Sequence, residues 1–231
     1  MSTGKSDARV WRGNGRYRKQ GHPAEIGAEA ARLTWLGNQG FPCPTVVDHQ
    51  PGTLVTTALP GRPADDPTWP HTMRPRLAAA LGELLVALHA LPIESCPFDH
   101  RLAQTIPQAE HNARTGAVDL TNLDGPRADW SADRLLQELH ATRPTTPEDL
   151  VVGHGDPCRP NFLCTTDGAP TGLLDVSRLG VAERHNDLAI ATRSLGGVWS
   201  PEHADALLSA YGRKTPDPAK IAFYRLLDEF F

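Results

Sequence analysis

The sequence HGDPCRPN at positions 154–161, followed by the run LLD at 173–175, is the most informative part of this chain about its fold. Asp156 precedes Asn161 by five residues, and two apolar runs, FLCT and TGLLDV, then flank an Asp-Gly pair. An Asp-Gly pair between two apolar runs favours a tight β-hairpin. Because the start of one hairpin strand lies beside the end of the other, the sequence predicts that Asn161 and Asp175 are neighbours.

This combination of side chains is typical of phosphoryl transfer. The reaction needs a carboxylate that aligns the attacking hydroxyl and accepts its proton, and it needs metal ligands near the nucleotide phosphates. Asp156 suits the first role, as catalytic residue and as a contact of the acceptor. Asn161 and Asp175 offer the hard oxygen atoms that Mg²⁺ prefers. Each residue alone is more typical of a turn or an exposed hairpin end, but the combined spacing favours a functional site.

The composition is that of an ordinary globular protein, with 39% hydrophobic and 22% charged residues. The net charge of −4 comes from 27 acidic and 23 basic residues, so we expect no nucleic-acid partner, whereas a cationic ligand is compatible with it. The four irregularly spaced cysteines predict reduced thiols rather than a zinc site. The absence of a signal sequence and of a membrane-length apolar run predicts a cytoplasmic protein without a membrane partner. The oligomeric state stays open.

Apolar periodicity and turn residues predict an α+β protein with two lobes. A small β-rich lobe covers residues 1–59, and a larger helical lobe covers residues 60–231 and begins with a Pro-Gly-Arg-Pro linker. The small lobe is predicted to contain a hairpin, a helix and two strands, at residues 8–20, 24–37, 45–47 and 53–58. The large lobe is predicted to contain a long leucine-rich helix before Pro92, a strand at 150–152, and helices at 132–142, 186–195, 202–212 and 218–231. The polar stretch from 99 to 131 carries no predicted element.

The segment HGDPCRPNF resembles the HGDxxxxN catalytic loop of the aminoglycoside phosphotransferases, which are kinases with the two-lobed protein-kinase fold. The segment LLDVSRLGVAERHNDLAIATR resembles the metal-binding segment of that family. The stretches CPFDH, EAARLTWL and IAFYRLLDEFF are similar to those of the 3′-phosphotransferases, which act on kanamycin and neomycin. The resemblance implies ATP-dependent phosphorylation of the 3′-hydroxyl of an aminoglycoside, with Mg²⁺ and with antibiotic resistance as the outcome.

Two alternatives stay open. HGDPCRPNF also resembles the loop of the streptomycin 3″-phosphotransferases and, in part, that of kinases of other small alcohols. Family members usually have another strand and a fuller phosphate-covering loop before the position of Ser6, so a truncated, non-catalytic relic that holds nucleotide or drug is the second alternative. The sequence does not indicate which aminoglycosides are accepted or whether GTP replaces ATP.

The resemblance also implies which residues contact the nucleotide. The matching positions are Ser6 near the phosphate-covering loop, Tyr17 under the adenine, Lys19 at the α- and β-phosphates, Glu29 as its ion-pair partner, and Thr56 and Ala58 in the hinge backbone. On the acceptor side, the carboxylates of Glu229 and Phe231 match positions that hold the ammonium groups of the drug. Arg178 matches a neighbour of the phosphate site, and Asp187 is expected to support the catalytic loop.

Overall fold

The structure is a computed structural model that describes residues 2–3, 8–212 and 215–231. Ser6, one of the residues expected at the nucleotide, lies outside the described residues. Within them, a small antiparallel sheet and one helix form a first lobe, and six helices with two further small sheets form a second. Membrane crossing would require a longer and more apolar helix than any found in the described ranges.

The small lobe is a five-stranded antiparallel sheet. Its strands are β1 (Ser2–Thr3), β2 (Arg9–Gly13), β3 (Arg16–Gln20), β4 (Val46–Gln50) and β5 (Thr53–Thr57), in the order β1-β2-β3-β5-β4. Asn14 and Gly15 turn from β2 to β3 with φ angles of 50° and 68°, the conformation that a two-residue hairpin requires. The predicted hairpin is therefore confirmed. Arg16 and Arg18 point to solvent, which explains why this strand tolerates them.

One helix, α1 (Pro23–Asn38), packs against this sheet. The remaining helices belong to the large lobe and are α2 (Arg74–His89), α3 (Leu102–Thr115), α4 (Ala132–Ala141), α5 (Arg184–Gly196), α6 (Pro201–Tyr211) and α7 (Pro218–Asp228). The remaining strands are β6 (Arg62–Pro63), β7 (Leu150–Gly153), β8 (Phe162–Cys164), β9 (Pro170–Leu173) and β10 (Gly180–Glu183). Strand β7 pairs with β10, and β6, β8 and β9 form a three-stranded sheet.

The chain passes from one lobe to the other between Thr57, which ends β5, and Arg62, which pairs with Cys164 of β8. This arrangement, with the sheet in one lobe and the helices in the other, is the expected α+β fold. The boundary between residues 59 and 60 lies inside this short connection and stays a prediction.

Besides the two-residue strands β1 and β6, two elements differ from the expectation. The stretch from 99 to 131 contains α3, whose buried side chains include Leu102, Ile106 and Ala109 at helical spacing. The prediction of no element was wrong there because polar residues cover the rest of the helix and Pro107 lies inside it. Strand β10 was missed because its four residues are too few to show an alternating pattern.

The leucine-rich helix α2 is the centre of the main core. Its leucines at positions 77, 81, 84, 85 and 88 are at most 4% exposed, as their spacing predicts. Gly82, also on α2, contacts α6 closely: a Cβ atom there would lie 2.6 Å from the Leu207 carbonyl oxygen and 3.0 Å from the Ala210 Cβ. The absence of a side chain at Gly82 therefore allows the two helices to pack closely.

All four cysteines are free thiols, as the sequence predicts. Burial raises the pKa of Cys43 to about 11 and that of Cys164 to about 12. Burial also raises the pKa of Cys96 and of Cys158 above the ordinary value. The thiols are therefore protonated at neutral pH.

We expect Gly82→Ala to lower the free energy of unfolding by roughly 1–3 kcal/mol, because the new methyl group forces α2 away from α6. Gly27→Ala is the matched control, since a Cβ there meets nothing closer than the His49 Nε2 at 3.9 Å. Alanine at that helical position should raise the free energy of unfolding by up to about 1 kcal/mol. Urea denaturation of both variants tests this, and stabilisation by Gly82→Ala would contradict it.

Candidate active site

The loop after β7 is held by one buried carboxylate on α5. Asp187 accepts a hydrogen bond from the His154 backbone N–H at 2.7 Å through Oδ2 and from the Gly155 N–H at 2.9 Å through Oδ1. The His154 ring adds a contact of 2.9 Å between its Nε2 and the Leu174 carbonyl oxygen. The expected supporting role of Asp187 is confirmed by these contacts.

Asp187 is itself held in position by His89, a residue of α2. The Nε2 of His89 lies 3.0 Å from its Oδ2, and the Nδ1 of His89 lies 2.7 Å from the Tyr211 hydroxyl. Burial acts to raise the pKa of Asp187, but the hydrogen bond and charge of His89, with those of His154, hold the pKa below its ordinary value. Asp187 therefore remains an anion although it is only 1% exposed.

Asp156 lies at the tip of this loop. Its backbone oxygen and its Oδ2 accept hydrogen bonds from the Asn161 Nδ2, at 2.9 Å and 3.2 Å. Burial raises the pKa of Asp156 above its ordinary value; the charge of Arg178 opposes this rise and that of Asp228 adds to it. A raised pKa makes the carboxylate a stronger proton acceptor than an exposed aspartate.

Asp175 follows β9, and the hairpin brings it to Asn161 as predicted. The backbone N–H of Leu174 donates to the Asn161 carbonyl at 2.7 Å, and Phe162 pairs with Leu173. Asp175 has a φ of 49°, an unusual left-handed conformation for a residue other than glycine. Its Oδ1 accepts a hydrogen bond of 3.1 Å from the Ser177 hydroxyl.

Asn161 and Asp175 fit a magnesium ion. The Nδ2 of Asn161 is occupied by Asp156, so the side-chain oxygen of Asn161 faces away from that residue. The side chain of Asp175 is 44% exposed, which leaves its carboxylate accessible to a ligand. Within the described residues, no group of three or more His, Cys, Asp or Glu side chains forms a metal site. Two protein oxygens suit Mg²⁺, which keeps several waters and shares its other positions with nucleotide phosphates.

Lys19 connects the two lobes at this point. From β3, its Nζ lies 2.8 Å from the Glu29 Oε2 on α1 and 3.5 Å from the Asp175 Oδ1 in the large lobe. Burial acts to lower the pKa of Lys19, but Glu29 and Asp175 together raise it above its ordinary value. The ammonium group is therefore firmly charged, as phosphate binding requires.

The other residues expected at the nucleotide lie along the same sheet. Tyr17 pairs with Thr56, and its ring is partly exposed, with the Arg12 guanidinium 5.7 Å from its centroid. Thr56 is buried, and the Ala58 N–H donates to the Gly15 carbonyl at 2.9 Å. The contacts of Tyr17, Thr56 and Ala58 with a nucleotide stay predictions. A hydrogen bond from the Ala58 N–H to the nucleotide would have to replace its bond to the Gly15 carbonyl.

Arg178, whose charge acts on Asp156, belongs to a series of alternating arginines and carboxylates. Arg178 packs against the loop, since a Cβ at Gly155 would lie 2.5 Å from the Arg178 Cβ. Its Nη1 donates to one oxygen of Asp228 at 2.9 Å, and the other oxygen accepts from Arg193. Arg193 also reaches the Asp124 carboxylate at 3.3 Å. Asp228 is thus shared by two cations.

Glu229 extends this arrangement. It accepts hydrogen bonds from the Arg127 Nη1 at 3.0 Å and from the Asp124 backbone N–H at 3.2 Å, and its side chain is 5% exposed. Phe231 is 41% exposed, and its ring centroid lies 5.3 Å from the Arg178 guanidinium carbon. We call the charged residues here the arginine–carboxylate network, which consists of Asp124, Arg127, Arg178, Arg193, Asp228 and Glu229.

The structure brings Phe231 to Arg178, and it gives Glu229 partners within the protein. The acceptor contacts of all three stay predictions. Asp228 was not singled out from the sequence. Its arginine partners are 50 and 35 residues away along the chain, so no local pattern indicates these pairs.

A family model of phosphotransferase enzymes matches residues 4–224. The chain belongs to this phosphotransferase family. It is 46% identical to an aminoglycoside 3′-phosphotransferase of Streptomyces fradiae over 217 residues, which cover 90% of this chain and 80% of that relative. The family inferred from the sequence is therefore confirmed.

Two solved structures extend the comparison. A crystal structure of the aminoglycoside 3′-phosphotransferase of type VIII matches with a TM-score of 0.90 and 43% identity, covering 100% of this chain and 91% of that one. The aminoglycoside phosphotransferase APH(3″)-Id of Streptomyces rimosus, in complex with ADP and streptomycin, matches with a TM-score of 0.82 and 27% identity, covering 98% and 93%. These matches confirm the two-lobed kinase fold.

The charges around Asp156 predict a shift in the pH dependence of phosphoryl transfer. Activity should fall as the pH drops through the raised pKa of Asp156, because the protonated acid accepts no proton. Arg178→Gln should move this acid limb to higher pH, since Arg178 lowers the pKa of Asp156. Asp228→Asn, at the other end of the same ion pair, should move it to lower pH. Profiles of kcat/KM against pH test this, and shifts in one direction for both variants would contradict it.

Proposed function

We propose that this protein transfers the γ-phosphate of ATP to the 3′-hydroxyl of an aminoglycoside antibiotic in the cytoplasm, and so confers resistance. The observation that carries the proposal is the group formed by Asp156, Asn161 and Asp175 beside Lys19, in a chain 46% identical to an aminoglycoside 3′-phosphotransferase. The partners are an aminoglycoside and a nucleotide. The same group of residues argues against a non-catalytic relic, which would have no need to keep all of them.

Asp156 aligns the acceptor hydroxyl and takes its proton. Phosphoryl transfer requires little covalent chemistry from the protein, so the orientation of the carboxylate is its main contribution. The Asn161 amide fixes that orientation through its contact with Oδ2. Burial supplies the raised pKa that suits a general base.

Lys19 binds the α- and β-phosphates of ATP. Its contacts with Glu29 and Asp175 hold the ammonium group between the lobes, where a nucleotide would lie. Tyr17 lies two residues earlier on the same strand and offers its ring to the adenine. The ADP bound in the Streptomyces rimosus enzyme supports ATP as the co-substrate.

Asn161 and Asp175 would hold Mg²⁺. Held there, Mg²⁺ would supply positive charge that offsets the negative charge of the nucleotide phosphates. The oxygen of the Asn161 amide and the accessible carboxylate of Asp175 are the donors that support this role. Both residues lie at neighbouring ends of the β8–β9 hairpin, so the fold itself sets their separation.

The ammonium groups of the aminoglycoside bind at the arginine–carboxylate network and at the carboxylate of Phe231. Each carboxylate of the network contacts an arginine, so an ammonium group must share or replace that arginine to bind there. The side chains of Asp228 and Glu229 are 11% and 5% exposed, which makes Asp228 the more accessible of the two.

A second candidate function is phosphorylation of streptomycin at its 3″-hydroxyl. The match to the streptomycin complex of the Streptomyces rimosus enzyme, with a TM-score of 0.82, favours it. The identity of 27% with that enzyme is lower than the 43% shared with the type VIII 3′-phosphotransferase, which favours the first candidate.

Asp156→Ala should lower kcat by roughly 10²- to 10⁴-fold while nucleotide binding is retained, because the hydroxyl loses its proton acceptor. A coupled assay with kanamycin, neomycin and streptomycin measures this and identifies the preferred acceptor. Asp205→Ala, which removes an exposed carboxylate from α6, is the control. Activity of Asp156→Ala within about tenfold of the wild type would exclude the role, and wild-type turnover of streptomycin alone would favour the second candidate.

Asp175→Asn should increase the Mg²⁺ concentration needed for half-maximal rate, because it removes an anionic ligand from the ion. Asp228→Asn is the matched comparison: it should weaken aminoglycoside binding and leave the Mg²⁺ dependence unchanged. Titration of the rate with Mg²⁺, together with calorimetry of drug binding without nucleotide, separates the two effects. An unchanged Mg²⁺ dependence in Asp175→Asn would show that Asp175 is not a metal ligand.

A further inference from the structure

Helix α1 contacts the large lobe through Arg32, which none of the roles above requires. The Nε of Arg32 donates to the Leu179 carbonyl at 2.8 Å, and its Nη1 donates to the Ala28 carbonyl at 3.2 Å. Its guanidinium carbon lies 4.6 Å from the centroid of the Phe98 ring, within the range of a cation–π contact. One side chain thus ties the helix of the small lobe to two separate segments of the large lobe.

Leu179 closes the turn that follows Asp175. Its backbone N–H donates to the Val176 carbonyl at 3.0 Å, and its side chain is fully buried. Asp175 has its left-handed φ of 49° at the start of this segment. Such a conformation persists only where surrounding contacts hold it, and Arg32 supplies one of them by fixing the far end of the turn.

Glu29 lies one helical turn before Arg32, so the two side chains share a face of α1. Glu29 contacts Lys19 at 2.8 Å, and Lys19 lies 3.5 Å from Asp175. These contacts close a ring that runs from Arg32 through Leu179, Asp175, Lys19 and Glu29 and back along the helix. Movement of α1 away from the large lobe would alter every distance in the ring.

We propose that Arg32 is a positioning residue for phosphoryl transfer. By holding α1 against the Leu179 turn, it keeps Glu29, Lys19 and Asp175 at the distances that nucleotide binding requires. This inference rests on the proposed function only in taking the substrate of Lys19 and Asp175 to be a nucleotide with its metal ion. It does not depend on which alcohol accepts the phosphate.

The test is the affinity of Arg32→Ala for a fluorescent N-methylanthraniloyl analogue of ATP with Mg²⁺ and without acceptor. We expect the Kd to rise about tenfold, the size expected for the loss of one charged hydrogen bond, and the KM for ATP to rise with it. The KM for the acceptor should stay unchanged. If Arg32→Ala does not fold, Arg32→Gln, which keeps a long stem beside Phe98, replaces it in the same assay and by the same criteria.

Trp35→Phe is the matched control. Trp35 lies on the same helix and donates from Nε1 to the Ser95 carbonyl at 2.9 Å, so this variant also removes a hydrogen bond between the lobes. That bond does not reach the Leu179 turn. The Trp35 ring centroid lies 6.2 Å from that of Phe98, and phenylalanine keeps an aromatic ring at this position. We expect the nucleotide Kd of Trp35→Phe to stay within twofold of the wild type. An equal loss of nucleotide affinity in both variants would mean that Arg32 only holds the two lobes together and is not a positioning residue.

A double variant, Arg32→Ala with Glu29→Gln, distinguishes a positioning role of Arg32 from a general effect on stability. If Arg32 acts through the ring, Arg32→Ala should weaken nucleotide binding much less in the Glu29→Gln background, where the ring is already broken. The proposal would be overturned if the losses of nucleotide-binding free energy in the two single variants simply added in the double variant. An unchanged nucleotide Kd in a folded Arg32 variant would overturn it as well. Because the Kd measurement contains no acceptor, an absence of aminoglycoside phosphorylation would contradict the proposed function without changing the expected Kd values.

Discussion

The structure depends on one buried anion, the carboxylate of Asp187. Burying a charge is costly unless hydrogen bonds and opposite charge compensate it. Here two backbone N–H groups of the loop after β7 and the ring of His89 supply that compensation. The same bonds that make the buried charge tolerable also fix the loop that carries Asp156. The stability of the large lobe and the geometry of the site are therefore properties of the same contacts.

The two lobes contribute opposite charges to the candidate active site. The small lobe provides the ammonium group of Lys19, which suits phosphates, while the large lobe provides Asp156 and Asp175, which suit a hydroxyl and a metal ion. Beyond Asp156, arginines already neutralise the carboxylates of the network. A cationic acceptor that binds there would meet a surface whose charges are paired, so its binding would exchange the partners of the carboxylates rather than occupy free ones.

Much of this organisation could be predicted from the sequence, because local signals determine it. The Asp-Gly turn sets the β8–β9 hairpin, and the leucine spacing marks α2. Helix α3 could not be predicted, because only a narrow face of it is buried and Pro107 interrupts its pattern. The contacts of Asp228 and Arg32 could not be predicted either. They join residues far apart in the chain, and only the fold brings them together.

The protonated state of the cysteines has a practical consequence for optical experiments. Alkylating reagents attack the thiolate, and the raised pKa values of Cys43, Cys96, Cys158 and Cys164 keep its population very small at neutral pH. A cysteine introduced at an exposed surface position would react far faster than these four. Dyes can therefore be attached to each lobe in a background that keeps every native thiol, and the distance between the lobes becomes measurable by energy transfer.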